Sequence, residues 1–158
     1  AIRYGADGLQ HMLLNGEDVT EKIRLPQISL YASAVSAHPK VRAFLLERQR
    51  DLARGHDVVM DGRDIGTVVL PDADLKIFLT AAPEIRAKRR CLELEQRGTP
   101  QPYEQVLAEI RRRDWDDIHR AAAPLRRAED AVELDTTELD FPQSLDALLA
   151  LARERIGR

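Results

Sequence analysis

Three short apolar runs, Val58–Met60, Leu75–Thr80 and Ala131–Asp135, stand between stretches whose apolar residues recur at helical spacing. That alternation constrains the fold more than any other feature. Strands joined through helices pair in parallel, and a parallel sheet buries both faces beneath those helices. Leu75–Thr80, apolar apart from Lys76 and Thr80, fits a strand covered on both sides. The chain is therefore read as α/β. Its 158 residues suit one domain, and 44% hydrophobic with 32% charged residues describes a globular chain.

The helices carry their own punctuation. Pro39 fits a first turn, Val41, Phe44, Leu45 and Leu52 form an apolar stripe, and Gly55 ends that helix. Pro83-Glu84 opens a second, which runs to about Arg97 and stops at Gly98. A third covers Tyr103 to about His119 and breaks at Ala121-Ala122-Ala123-Pro124. Pro142 opens the last, with Leu145, Leu148, Leu149 and Ile156 on its apolar side. Upstream, Ile2–Tyr4 and Leu9–Leu14 read as a hairpin, Asn15-Gly16-Glu17-Asp18 as a turn, and Ile28, Tyr31, Ala32 and Val35 as helical spacing.

Ligands of open α/β sheets bind beyond the carboxyl ends of the strands. Reading Val58–Met60 as a strand places Asp61, Arg63 and Asp64, around the break at Gly62, where a phosphorylated substrate would sit. The same residues also fit a polar loop with one ordinary salt bridge. A second group, Arg113, Asp117 and Arg120, falls on one helix face at steps of four and three. Asp117 between two guanidinium groups would hold them extended toward an anion whose charge spreads during reaction. A solvated helix with routine i,i+4 pairs fits as well, and the neighbours Arg111 and Arg112 favour it. Ser33 and Arg42, in the helices flanking His38-Pro39, carry no signal by themselves.

Composition removes several classes. Net charge is −3, so no global basic field recruits nucleic acid. The basic residues are nonetheless mostly Arg, with Lys only at 22, 40, 76 and 88, and Arg suits two-point recognition of phosphate. The single Cys91 excludes an internal disulfide framework and reads as a small, half-buried packing residue. The four His show no metal spacing, and no apolar run reaches membrane-spanning length. None of the eight Gly is followed by Lys, so the chain contains no Walker A loop.

Asp61-Gly62-Arg63-Asp64-Ile65-Gly66-Thr67, followed by Pro71-Asp72-Ala73 and Lys76-Ile77-Phe78-Leu79, resembles bacterial cytidylate kinases. So do Arg113-Asp114, Asp117, Arg120-Ala121 and Ala123-Pro124-Leu125, together with Gly16-Glu17-Asp18-Val19 and Ala32-Ser33-Ala34-Val35 through Arg42. The resemblance covers essentially the whole chain. It implies a three-layer P-loop kinase-type parallel sheet with helices on both faces, a small β-rich nucleoside-monophosphate insert and a short helical lid. Residues 1–38 would be part of the insert, 39–97 and 121–158 the core, and 98–120 the lid. The implied activity is transfer of the γ-phosphoryl of ATP, with Mg²⁺, to CMP or dCMP.

The resemblance also implies residue roles. Ser33, Arg42 and Asp64 would read the cytosine ring, and Arg63 the phosphate of the monophosphate. Arg113 and Asp117 would reach the sugar and phosphates, and Arg120 would neutralise the transferring group. Asp61 is a second-shell candidate for Mg²⁺. A cytoplasmic monomer that binds neither nucleic acid nor membrane is expected. The chain departs from the family pattern in lacking the first core strand and the P-loop, so it is not expected to act alone as a kinase. The alternative is a module that binds a pyrimidine monophosphate without catalysis.

Overall fold

Asn15 and Gly16 adopt left-handed backbone angles, φ 52° and 88°. Two such residues make the tight turn whose twist matches a β-hairpin. They join β2 (Gln10–Leu14) to β3 (Glu17–Asp18), which pair antiparallel with Leu14 opposite Glu17. The turn is thus confined to Asn15-Gly16, and Glu17-Asp18, read from sequence as turn, belongs to a strand. β1 (Ile2–Tyr4) pairs with β2 on its other side, Ile2 opposite Met12. Around Asp18 the hairpin is tied by polar groups. Thr20 donates its hydroxyl and its amide to one carboxylate oxygen at 2.6 and 2.9 Å, and His11 Nδ1 lies 2.7 Å from the other. The Thr20 bonds foremost, then His11, hold the Asp18 carboxyl down at about 2.

The structure, a computed structural model, describes residues 2–6, 8–36 and 38–157, with the side chains of Ile2, Pro26, Gln27, Ser29, Leu30, Ser33 and Ile156 outside the description. The chain divides into two units, Ala1–Arg54 and Gly55–Arg158. The first continues from the three strands into α1 (Pro26–Ser36) and α2 (Pro39–Gly55). Of the apolar stripe expected on α2, Phe44, Leu45 and Leu52 remain exposed. The Phe44 ring instead carries the Arg48 guanidinium 5.3 Å from its centroid.

The second unit holds a parallel pair, β4 (Ile77–Thr80) and β5 (Val132–Asp135), in register from Ile77–Val132 to Thr80–Asp135. Between them run α3 (Pro83–Gln96) and α4 (Tyr103–His119), and α5 (Phe141–Ile156) follows. The chain is thus mixed α/β with a parallel sheet, as the alternation of runs required. Val58–Met60 is a correction to the sequence reading: it forms no strand, and Val59 is fully exposed. Three apolar residues favour an extended backbone, but a strand exists only as a hydrogen-bonded ladder. Among the described residues β4 pairs with β5 alone.

Local chemistry explains where the helices start and stop. Pro83 sits in the first turn of α3, where its missing N–H costs nothing. Gly98, at φ 70°, ends α3 with a paired closure: Thr99 N–H bonds Leu94 O at 2.9 Å and Gly98 N–H bonds Glu95 O at 3.0 Å. Asp140 caps α5, accepting from Gln143 N–H at 2.8 Å while the Gln143 side chain accepts from Asp140 N–H at 2.9 Å.

α3 and α4 pack as a pair around Ala87, Leu94, Val106 and Leu107, with Tyr103, Ile110 and the half-buried Cys91 alongside. α3 is tied to the sheet by Arg89, which donates to the carbonyls of Thr136 and Leu139 at 2.5 and 2.8 Å. Lys76, at the start of β4, buries its stem and pairs its amine with Asp130 and the Pro71 carbonyl. No helix among the described residues is long and apolar enough to cross a membrane.

Candidate active site

The loop after Val58–Met60 is shaped by close packing. A Cβ on Gly62 would come within 2.8 Å of the Ile65 side chain, so only glycine lets the backbone pass. Ile65–Val69 then forms a single π-helical turn, in which Val68 and Val69 N–H both reach Asp64 O, at 2.9 and 3.2 Å. Such turns are rare and recur at functional sites. This one fixes the backbone of Asp64 and leaves its side chain only 12% exposed.

Across from the loop stands the carboxyl-terminal half of α4. Arg63 Nε donates to Asp117 Oδ2 at 2.6 Å. Arg120 Nη2 lies 3.5 Å from Asp64 Oδ1, and its Nη1 lies 4.0 Å from Asp117 Oδ1. Two carboxylates and two guanidiniums thus interlock, and Asp117 is one of the few buried polar residues. The backbone supports them. Leu125 N–H bonds Asp117 O at 2.8 Å, and Arg120 Nε donates to Ala123 O at 2.6 Å. Ala123 holds φ 48°, a left-handed conformation that costs a non-glycine residue on the order of 1 kcal/mol. Arg120 Nη2 is buried and makes no hydrogen bond among the described residues. Its nearest acceptor is Asp64 Oδ1 at 3.5 Å, an ion pair rather than a close hydrogen bond.

The helix-face comb anticipated from spacing is therefore rearranged. Asp117 keeps Arg120 as a neighbour, but its hydrogen-bond partner is Arg63, 54 residues away, not Arg113. Arg113 is exposed and has no ion pair among the described residues. Energetics explain the choice. An exposed i,i+4 pair contributes only about 0.3–0.5 kcal/mol, whereas Arg63, though itself 41% exposed, pairs an Asp117 carboxylate that burial would otherwise leave unsatisfied. Asp61 is exposed. Arg42 lies half-buried in α2, and the backbone of Ser33 lies in α1 with its side chain outside the described residues.

Sequence reasoning missed a further pair. Arg86, in the first turns of α3, forks onto Asp114 of α4, Nη1 to Oδ1 at 3.0 Å and Nη2 to Oδ2 at 2.6 Å, while its Nε donates to Ala81 O at 2.9 Å. The only available signal was the packing of α3 on α4. Nearby, Arg111 pairs with Glu84 at 2.6 Å. Glu84's own backbone N–H, then Arg111, lowers its carboxyl below the usual range.

The sequence matches a known family. The cytidylate kinase family profile matches residues 2–154. The chain belongs to the cytidylate kinase family. It is 55% identical over 150 residues to a cytidylate kinase of Caldicellulosiruptor saccharolyticus, covering 95% of this chain and 66% of that one. A cytidylate kinase of Geobacillus sp. is 50% identical over 94% of this chain and 66% of its own length. One of Geobacter sulfurreducens is 48% identical over 94% and 64%. The chain thus spans just under two-thirds of the length of the curated relatives it matches.

Magnesium accompanies nucleotide chemistry of this kind. Among the described residues no three His, Cys, Asp or Glu side chains gather as metal ligands. Mg²⁺ ordinarily takes only one or two carboxylates and fills its shell with phosphate oxygens and water. Asp61, exposed beside Gly62, is one carboxylate open to such a role.

Proposed function

We propose that this chain works in transfer of the γ-phosphoryl group of ATP to CMP or dCMP, giving CDP or dCDP. The observation that carries the reading is the interlocked Arg63–Asp117 and Arg120–Asp64 group. Phosphoryl transfer asks little covalent chemistry of a protein. It asks for positioned positive charge around oxygens whose charge is in motion. Two guanidiniums held by carboxylates are pre-aimed, and an incoming phosphate would compete with those carboxylates for them. We assign Arg63 to the acceptor phosphate, Arg120 to the transferring group, and Arg113 with Asp117 to sugar and phosphates.

Ser33, Arg42 and Asp64 are assigned to the base. Cytosine offers an amino donor to a carboxylate and ring acceptors to an arginine. Uracil would set a carbonyl against the carboxylate. In this reading β4 and β5 are part of a three-layer P-loop kinase core (39–97 and 121–158), residues 1–38 part of a monophosphate-binding insert, and 98–120 a lid. Mg²⁺ enters with ATP, Asp61 standing in its outer sphere, and the protein is a cytoplasmic monomer that binds neither nucleic acid nor membrane.

Calorimetric titration with CMP, UMP and AMP tests the reading. CMP is expected to bind most tightly, with its preference over UMP lost in Asp64→Ala and its affinity lowered in Arg63→Met. Equal binding of AMP and CMP, or CMP binding indifferent to both substitutions, would sink it.

A further inference from the structure

The apolar contact between α3 and α4 ends at Ile110, and beyond it Asp117 is the only buried residue of α4. The stretch that carries Asp117 and leads to Arg120 is therefore not seated by hydrophobic packing. Something else must fix how that half of the helix is turned. Glu84–Arg111 is exposed on both sides and holds little. Arg63–Asp117 belongs to the site itself and would be disturbed by any anion that engages Arg63.

Leu125 N–H on Asp117 O holds the end of the helix by its backbone, and the side-chain tie from α3 that remains is Arg86–Asp114. We infer that Arg86 and Asp114 form a positioning clamp that sets the rotation of α4, and through it the pairing of Asp117 with Arg63 and the placement of Arg120. The geometry is that of a jig. A guanidinium is planar and its two-point bond to a carboxylate fixes direction as well as distance. The third bond, from Nε to Ala81 O, anchors the same plane to the backbone at the carboxyl end of β4. Ala81 is buried, and the side chains of Arg86 and Asp114 are each only about a third exposed. The chain of support runs from β4 through Arg86 to Asp114, and one helical turn later reaches Asp117. Neither clamp residue needs to touch a ligand.

The inference rests on the phosphoryl-transfer reading for its consequence, but its mechanical core can be read separately. Asp114→Asn keeps the size of the side chain and removes the charge. Arg86→Lys keeps the charge and removes the fork. In the full chain both are expected to lower CMP affinity on the order of tenfold and cytidine affinity clearly less, since Arg63 and Arg120 face phosphate and only Asp117 is assigned to the sugar. Hydrogen-bonded to Asp117, the Arg63 Nε–H is expected to give a distinct resonance in the unsubstituted chain and to lose it in both variants, with the thermal midpoint close to that of the unsubstituted chain. Unchanged CMP affinity together with a retained Arg63 resonance overturns the clamp. So does a parallel loss of CMP and cytidine binding that follows the loss of fold. If the unsubstituted chain does not distinguish CMP from cytidine, the phosphoryl-transfer reading is what fails. The Arg63 resonance then decides the clamp alone: lost in Asp114→Asn it stands, retained it falls.

Discussion

The two ends of the α3–α4 pair are held by different forces. At one end Leu94, Ala87, Val106 and Leu107 exclude water, and at the other Arg86–Asp114, Glu84–Arg111 and Arg63–Asp117 face each other across partly wet ground. Burial has no direction, and it falls off only when surface is exposed. Charge pairs have direction, answer to salt and pH, and can change partners without a cavity opening. Arg63, Asp64, Asp117 and Arg120 meet at the second end. A helix pair that must receive an anion gains from being clamped at one end by packing and at the other by groups an anion can compete for.

That contrast can be broken in order of expected effect. Leu94→Ala removes a side chain only 2% exposed and is expected to destabilise the chain by about 2–4 kcal/mol in chemical denaturation. A loss under half a kilocalorie would mean the apolar end is not what holds the pair. Asp117→Asn is expected to cost about 1–2 kcal/mol, because Arg63 and Arg120 lose the carboxylate between them. It should also weaken CMP binding at least about tenfold in calorimetric titration. An unchanged titration would remove Asp117 from the site.

Acid separates the ends further. Glu84's carboxyl is lowered in the folded chain, so its contribution is complete above its unfolded value of 4.5 and fades as pH falls through the folded one. Below pH 4.5, amide exchange in α4 beyond Ile110 should quicken before exchange around Leu94 does. Simultaneous loss would show a single cooperative unit with no charged end of its own. The smallest expected effect is Glu84→Gln, an exposed pair. It should leave the denaturation midpoint within error at 1 M salt and shift it slightly at low salt.

Much of the second unit was legible because its signals are local. Pro83, Glu84 and Gly98 bracket α3, and the run from Tyr103 to His119 has the period of α4. The residues of the candidate site were legible as types. Their partners were not. Arg63 meets Asp117 across 54 residues and Arg86 meets Asp114 across 28, and no spacing rule reaches that far. Helical periodicity offered Arg113 to Asp117 because it sees only one element at a time. The error at Val58–Met60 has a related origin. Composition reports what a segment prefers, while a strand depends on whether a neighbour is there to accept it.

Ala123 returns the question to the genetic code. Its left-handed backbone would suit glycine, and alanine is one codon letter from glycine, so relief of the strain is among the nearest changes available. A glycine would also open the mirror-image half of conformational space to the peptide whose carbonyl holds Arg120 Nε. The methyl group therefore acts as a ratchet stop: it costs a little stability and removes wrong settings of the residue three places upstream. Directed selection for heat resistance alone would be expected to erase it, and selection for turnover to keep it.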